Sequence, residues 1–135
     1  MTAKPTPPMT PWTRPFWEAT REGRLIIQRC TTCGRHVFYP RRLCPFCFAD
    51  TLDWVEASGR GEVYSFTVVQ SNAPSAFLSD MPFVIAIVEL EEGVRMMSNL
   101  VDCDPESVRC GMTVEVTFRP LTDTITLPLF RPTAG

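Results

Sequence analysis

The sequence predicts a mostly β chain: a short N-terminal helix, a small metal-binding ribbon, then a five- to six-stranded barrel. Three observations predict it. Cys30, Cys33, Cys44 and Cys47 form a C-x2-C-x10-C-x2-C pattern. From Asp53 onward, apolar residues fall into period-two runs rich in β-branched and aromatic side chains. The 13 prolines and 7 glycines among 135 residues favour short elements and turns over long helices. Hydrophobic residues make up 44% of the chain, enough for the core of one domain with a small appendage.

Residues 1–24 read as an arm and a helix. The proline- and threonine-rich start, 1–11, predicts a loosely docked arm. A helix is expected over Thr13–Glu22, with Thr13 as N-cap, Pro15 in the first turn and Gly23 as the stop. Trp12 and Phe16 are four apart and share a face; with Trp17 they offer either a packing face or a docking face for a partner.

Residues 25–50 read as the ribbon. Leu25–Gln28 leads into the first knuckle, and Gly34 lets the backbone turn beneath the sulfurs. Val37–Tyr39 returns, and Pro40–Leu43 leads to Cys44-Pro45-Phe46-Cys47. Phe48 stands where the first knuckle has glycine, which predicts a less regular second knuckle.

Residues 51–135 read as the barrel and a C-terminal tail. Strands are expected near 52–57, 62–69, 83–90, 94–101, 112–118 and 121–129. The run Phe83–Leu90 is nearly all apolar and predicts burial on both faces. Glu91-Glu92-Gly93 predicts a hairpin turn. Pro128 suits an edge or strand end. Short strands and tight turns alone do not separate an OB-type barrel from a sandwich. The connection 70–82 has no period, a length usually functional or disordered. Its apolar Phe77, Leu78 and Met81 must tuck back or meet a partner.

Four thiolates at this spacing suit one structural zinc, tetrahedral with Zn–S of about 2.3 Å. A fully ligated zinc has no open position, so the site is expected to be structural. Iron could occupy it on isolation, but zinc is favoured in the cell. No apolar run reaches the roughly 18 residues of a membrane span, and 1–11 lacks an apolar signal core. Cytoplasmic localisation is expected, where paired C-x-x-C motifs favour metal over disulfide.

Charge is uneven. The chain is formally −2, but residues 21–50 carry six arginines against Glu22 and Asp50, and residues 51–119 carry four arginines against eleven acids. Zinc with four thiolates is −2, which absorbs part of the ribbon's excess. The remainder leaves Arg35, Arg41 and Arg42 for solvent, an acidic partner surface or a phosphate. No glycine-rich phosphate loop is present. The acidic barrel opposes nucleic acid, and Tyr64, Phe66, Phe83 and Phe118 sit at strand-core spacing rather than as stacking platforms. His36, the one histidine, has no nucleophile signature around it. Cys103 and Cys110 are seven apart, fit no knuckle, and are expected as buried or half-buried thiols at strand ends.

Several runs in order resemble the DUF35 family. They are Phe16-Trp17-Glu18, Arg21-Glu22-Gly23-Arg24-Leu25, the four-cysteine ribbon, Gly59-Arg60-Gly61-Glu62-Val63-Tyr64-Ser65-Phe66-Thr67-Val68, Val88-Glu89-Leu90-Glu91-Glu92-Gly93-Val94-Arg95 and Leu127-Pro128-Leu129-Phe130-Arg131-Pro132. Together they span about residues 12–132. Phe48, and Thr122-Asp123-Thr124 where a glycine turn is common, depart from the pattern. The resemblance implies a rubredoxin-like zinc ribbon followed by an OB-fold. It also implies a non-catalytic accessory subunit of a thiolase- or aldolase-type acyl-CoA enzyme, with a MaoC-like hydratase as a further partner type, and help in holding a CoA thioester. On that reading Trp12, Phe16, Trp17, Phe77, Leu78, Met81, Phe130 and Arg131 are candidates for partner or acyl-entrance contact. Arg35, Arg41 and Arg42 are candidates for partner or CoA-phosphate contact. The alternatives are a stand-alone acyl-CoA-binding protein and a single-stranded nucleic-acid module.

Overall fold

The computed structural model describes residues 6–71 and 73–133. The first five residues of the expected arm, and Asn72 in the long connection, lie outside the described residues.

Helix α1 spans Arg14–Arg21, with Pro15 in its first turn and Gly23 beyond its end at φ 76°. Thr13 is the N-cap residue but makes no side-chain cap; its hydroxyl turns back to Thr10 instead. One face of the helix buries Phe16, Ala19 and Thr20. The Thr20 hydroxyl is satisfied by donating to the Trp17 carbonyl at 2.9 Å.

Strands β1 (Ile26–Cys30), β2 (His36–Val37) and β3 (Leu52–Glu56) form a three-stranded antiparallel sheet in the order β2-β1-β3. The segment 52–56, expected to open the barrel, instead completes the ribbon's sheet. Its alternation is what either sheet would require, so the partner strand decides. Ile26 pairs with Glu56 and Cys30 with Leu52 along the whole of β1.

The barrel is closed and five-stranded, in the order β4-β5-β6-β8-β7, with β4 at Arg60–Val69, β5 at Phe83–Leu90, β6 at Arg95–Leu100, β7 at Thr113–Pro120 and β8 at Thr126–Pro132. All neighbours are antiparallel except β6 and β8, which touch in parallel at Leu100 and Phe130. That seam is narrow, and side chains extend it. Ser98 Oγ donates to the Pro128 carbonyl at 2.8 Å. On the same strand the Met97 N–H donates to the Tyr39 phenolic oxygen at 3.0 Å, which ties the ribbon to β6. Gly61 sits where β4 crosses closest to β5: a Cβ there would stand 2.4 Å from the Glu89 carbonyl oxygen.

β5 alternates rather than burying both faces. Val84, Ala86, Val88 and Leu90 enter the core, while Phe83, Ile85, Ile87 and Glu89 remain half-buried on the outer face. The connection before it contains one short 3-10 helix, Ser75–Asp80. One core runs through both modules. Phe16 of α1, Leu25, Ile27 and Ala57 join Val63, Val88, Val114 and Phe130 of the barrel in one cluster. A second, much smaller cluster of Cys30, Val37 and Cys44 lies at the far end of the ribbon.

Candidate metal centre and flanking surfaces

Strand β1 delivers Cys30 and the turn after it Cys33. The loop after β2 delivers Cys44 and Cys47. The four Sγ atoms all lie within 4.8 Å of one another. Cys30 and Cys47 sulfurs are 3.6 Å apart, and Cys33 and Cys44 sulfurs 3.7 Å. A tetrahedron with metal–sulfur bonds of about 2.3 Å has edges of about 3.8 Å, so these two edges match it and the set is gathered closely enough to hold one zinc. Backbone N–H groups support the sulfurs: Cys33 N–H points at Cys30 Sγ (3.5 Å) and Phe46 N–H at Cys44 Sγ (3.4 Å). The Cys33 N–H, followed by the Thr51 hydroxyl, pulls the Cys30 thiol down to about 6. Donors aimed at sulfur favour the thiolate, the form that binds metal.

The two knuckles are alike. Gly34 N–H donates to the Cys30 carbonyl and Phe48 N–H to the Cys44 carbonyl, both at 2.8 Å. Gly34 has φ 79° and Phe48 φ 65°. The expected irregularity of the second knuckle is therefore absent: Phe48 adopts the left-handed backbone that glycine would.

The candidate contact residues separate into two groups. Phe16 is only 4% exposed and sits edge-on to Trp17 and Phe38, so it is a core residue and not a docking residue. Phe130 is 0% exposed at the β6–β8 seam, and Arg131 beside it pairs with Glu115 at 3.1 Å; this stretch is strand β8 and not a free tail. The helical period of α1 turns Phe16 inward, and the alternation along β8 turns Phe130 inward. Trp12 and Leu78 are exposed, whereas Trp17, Phe77 and Met81 are half-buried. Phe77 stacks at 6.0 Å from Phe83, which folds the connection back on the barrel.

Arg35 lies over the Phe46 ring at 4.7 Å and Arg42 over Trp12 at 5.7 Å. The backbone of Arg41 is gripped on both sides by the Gln28 amide, at 2.7 and 2.9 Å. Tyr64, expected inside a strand face, is 51% exposed, because β4 is irregular between Val63 and Ser65; it stacks under Arg95 at 3.7 Å. Cys103 and Cys110 lie in turns rather than strand ends. Cys110 is exposed, while burial, then Asp102 and Asp104, push the half-buried Cys103 thiol up.

A cleft of about 860 Å³ opens between the 74–83 connection, the end of β6 and the start of β8. Phe77, Phe83, Leu100, Leu127 and Leu129 line it, with Arg119 paired to Asp102 at 2.7 Å beside them. Phe77 was legible as a loop apolar residue. Leu127, Leu129 and Arg119 were not, because their strand pattern reads equally as core. Tyr39, Leu43 and Phe46 are half-exposed as well; the sequence signal for them is a run of apolar side chains in the connection into the second knuckle, where no regular element would bury them.

A four-sulfur ribbon packed on a closed five-stranded barrel defines a zinc-ribbon plus OB-fold protein. Models of the "ChsH2, rubredoxin-like zinc ribbon domain" and the "ChsH2, C-terminal OB-fold domain" match residues 17–53 and 54–119. The chain belongs to the DUF35 family. It is 44% identical over 105 residues to a "DUF35 domain-containing scaffold protein" of Methanocaldococcus jannaschii, covering 76% of this chain and 74% of that one. It is 42% identical over 118 residues to a "Probable enoyl-CoA hydratase alpha subunit" of Thermomonospora curvata, covering 87% of this chain but 36% of that protein, so it spans about a third of that relative's length. It is 31% identical to the "Benzoylsuccinyl-CoA thiolase subunit BbsA" of Thauera aromatica, covering 78% of this chain and 73% of that one. A solved structure described as "Ltp2-ChsH2(DUF35) aldolase" superposes with a TM-score of 0.84 at 38% identity, covering 94% of this chain and 98% of that one.

Proposed function

We propose that the chain is a non-catalytic accessory subunit of an aldolase- or thiolase-type acyl-CoA enzyme. The observation that carries this reading is the whole-length likeness to a chain of the Ltp2-ChsH2(DUF35) aldolase structure. The name of the Thauera relative supports the thiolase alternative, and that of the Thermomonospora relative supports a hydratase-type partner. The chemistry of the chain agrees. Its four-sulfur site offers no open metal position, and its exposed apolar and arginine-rich surfaces suit holding another protein.

In this reading the ribbon, with Arg35, Arg41, Arg42 and Trp12, faces the partner. The cleft beside Phe77, Leu78 and Met81 faces the partner's acyl entrance, its apolar lining receiving part of a thioester's acyl group. The work of the subunit is to stabilise the partner and shape that entrance. Reduced ribbon thiols suit the cytoplasm. No helix among the described residues is long and apolar enough to cross a membrane.

Co-expression with a candidate aldolase- or thiolase-type subunit tests the proposal. The expected result is a stable complex with about one zinc per copy of this chain, and carbon–carbon cleavage that needs both proteins. A partner that neither co-purifies nor changes activity on addition of this chain would refute it. The cleft also supports a second reading, a stand-alone acyl-CoA binder. Titration of the isolated protein with acyl-CoA of increasing chain length separates the two, since a stand-alone binder saturates without a partner.

A further inference from the structure

We propose that the second zinc knuckle is a docking tip anchored by Phe48, and that its occupant is a protein surface with an apolar pocket rimmed by carboxylates. This rests on the accessory-subunit reading and names the residue on which that docking turns.

The two knuckles supply an internal comparison. Both close with the same N–H to carbonyl bond of 2.8 Å, and both need a left-handed residue after the second cysteine. At Gly34 that backbone is free of strain. At Phe48 the Cβ crowds the neighbouring carbonyl, a conformation bulky residues rarely adopt. Glycine would make the same turn, as the first knuckle demonstrates.

Phe48 gains little burial from its own chain: it is 76% exposed and lies outside both buried clusters. The left-handed backbone at this position therefore holds a large aromatic side chain mostly in solvent. Phe46 and Leu43, on the same loop, are also half-exposed. Large aromatics of this kind are what protein interfaces use as anchors.

Charge selects the occupant. Arg24, Arg95, Arg119 and Arg131 each meet a carboxylate within the chain. Among the described residues, no carboxylate lies within ion-pair distance of Arg35, Arg41 or Arg42. Arg35 lies over the Phe46 ring of this same loop, so the tip presents apolar surface beside a guanidinium that no carboxylate among the described residues neutralises, the complement of an apolar pocket with an acidic rim. An anionic membrane suits it less, because residues 51–119 are acidic. A second copy of this chain, docked ribbon to barrel, would make a head-to-tail contact rather than a self-complementary one, and self-association is an outcome of the test below.

The test uses full-length zinc-loaded protein as wild type, Phe48→Gly and Phe48→Tyr, with the co-expressed aldolase- or thiolase-type subunit as probe. Phe48→Gly should unfold at the same or a higher temperature than wild type, yet bind the subunit at least tenfold more weakly. Phe48→Tyr should bind within threefold of wild type. Unchanged affinity in Phe48→Gly would overturn the anchor while leaving the accessory-subunit reading standing. A lower midpoint for Phe48→Gly would make Phe48 a structural residue and overturn it too. Wild type failing to bind the subunit at all would remove both. Binding to anionic phosphatidylserine vesicles, or self-association by sedimentation, that disappears in Phe48→Gly would replace the protein occupant with a membrane or a second copy.

Discussion

Zinc removal should melt one end of this molecule and spare the other, and the boundary can be placed from the packing. The perturbation is chelation, or Cys44→Ser. The metal end contains only Cys30, Val37 and Cys44 as buried apolar residues, with Ala49 and Leu52 against them. Burying Val37 contributes about 2 kcal/mol. So few buried apolar side chains are too small a core to hold residues 30–51 by themselves. A structural zinc contributes about 10–16 kcal/mol of apparent binding free energy and decides the matter. Leu25, Ile27 and Ala57 belong instead to the large core with Phe16, Val88 and Phe130. Hydrogen exchange read by mass spectrometry should therefore show residues 30–51 losing protection on chelation, including the N–H groups of Gly34, Cys44 and Phe48. Residues 60–69, 83–100 and 113–132 should keep theirs. Partner binding should be lost with the ribbon. Loss of protection throughout the barrel on chelation would refute the argument, since it would mean that the metal end and the large core fold as one unit.

Further outcomes follow from single contacts. Tyr39→Phe removes the acceptor of the Met97 N–H; because the tyrosine is half-exposed, a loss of about 1 kcal/mol is expected in urea titration, with faster exchange at the Met97 amide. Gly61→Ala drives a Cβ into the Glu89 carbonyl and should cost about 3 kcal/mol by chemical denaturation; a near-neutral result would mean that β4 and β5 are not so closely apposed. Phe130→Ala opens the β6–β8 seam and should cost about 4 kcal/mol while leaving zinc content unchanged. Cys103 carries a raised thiol pKa, from burial first and then Asp102 and Asp104. It holds its proton to higher pH than an ordinary thiol, so iodoacetamide labelling at Cys103 should stay slow at pH 8 and rise only above the ordinary thiol range. Asp102→Asn should advance that rise modestly.

The ribbon was readable because its determinant is local. Two C-x-x-C pairs place four sulfurs by short-range geometry, and Gly34 marks the first turn without reference to the rest of the chain. The barrel strands were readable for a similar reason, since alternation reports a half-buried strand wherever its partners lie. The resemblance to known zinc-ribbon and OB-fold chains resolved barrel from sandwich, which alternation alone could not. The alternation of residues 52–56 fits the barrel as well as the ribbon's sheet, because a strand pattern does not show which strand lies beside it. An aromatic near a chain end, such as Phe16 or Phe130, reads the same in sequence whether it faces in or out. Tyr64 went the other way: one irregular step in β4 carried it to the surface.

The sequence by itself determined the metal ligands, the order of helix, ribbon and strand-rich domain, and the acidic character that disfavours nucleic acid. These depend on spacing, period and charge, which are properties of neighbours along the chain. Only the tertiary structure decided that ribbon and barrel share one core through Phe16, Ile27 and Ala57. It alone showed that Tyr39 ties the ribbon to β6, and that Phe48 stands strained and exposed at the knuckle's tip. Those facts depend on which surfaces meet, and that is set by packing between residues far apart in sequence.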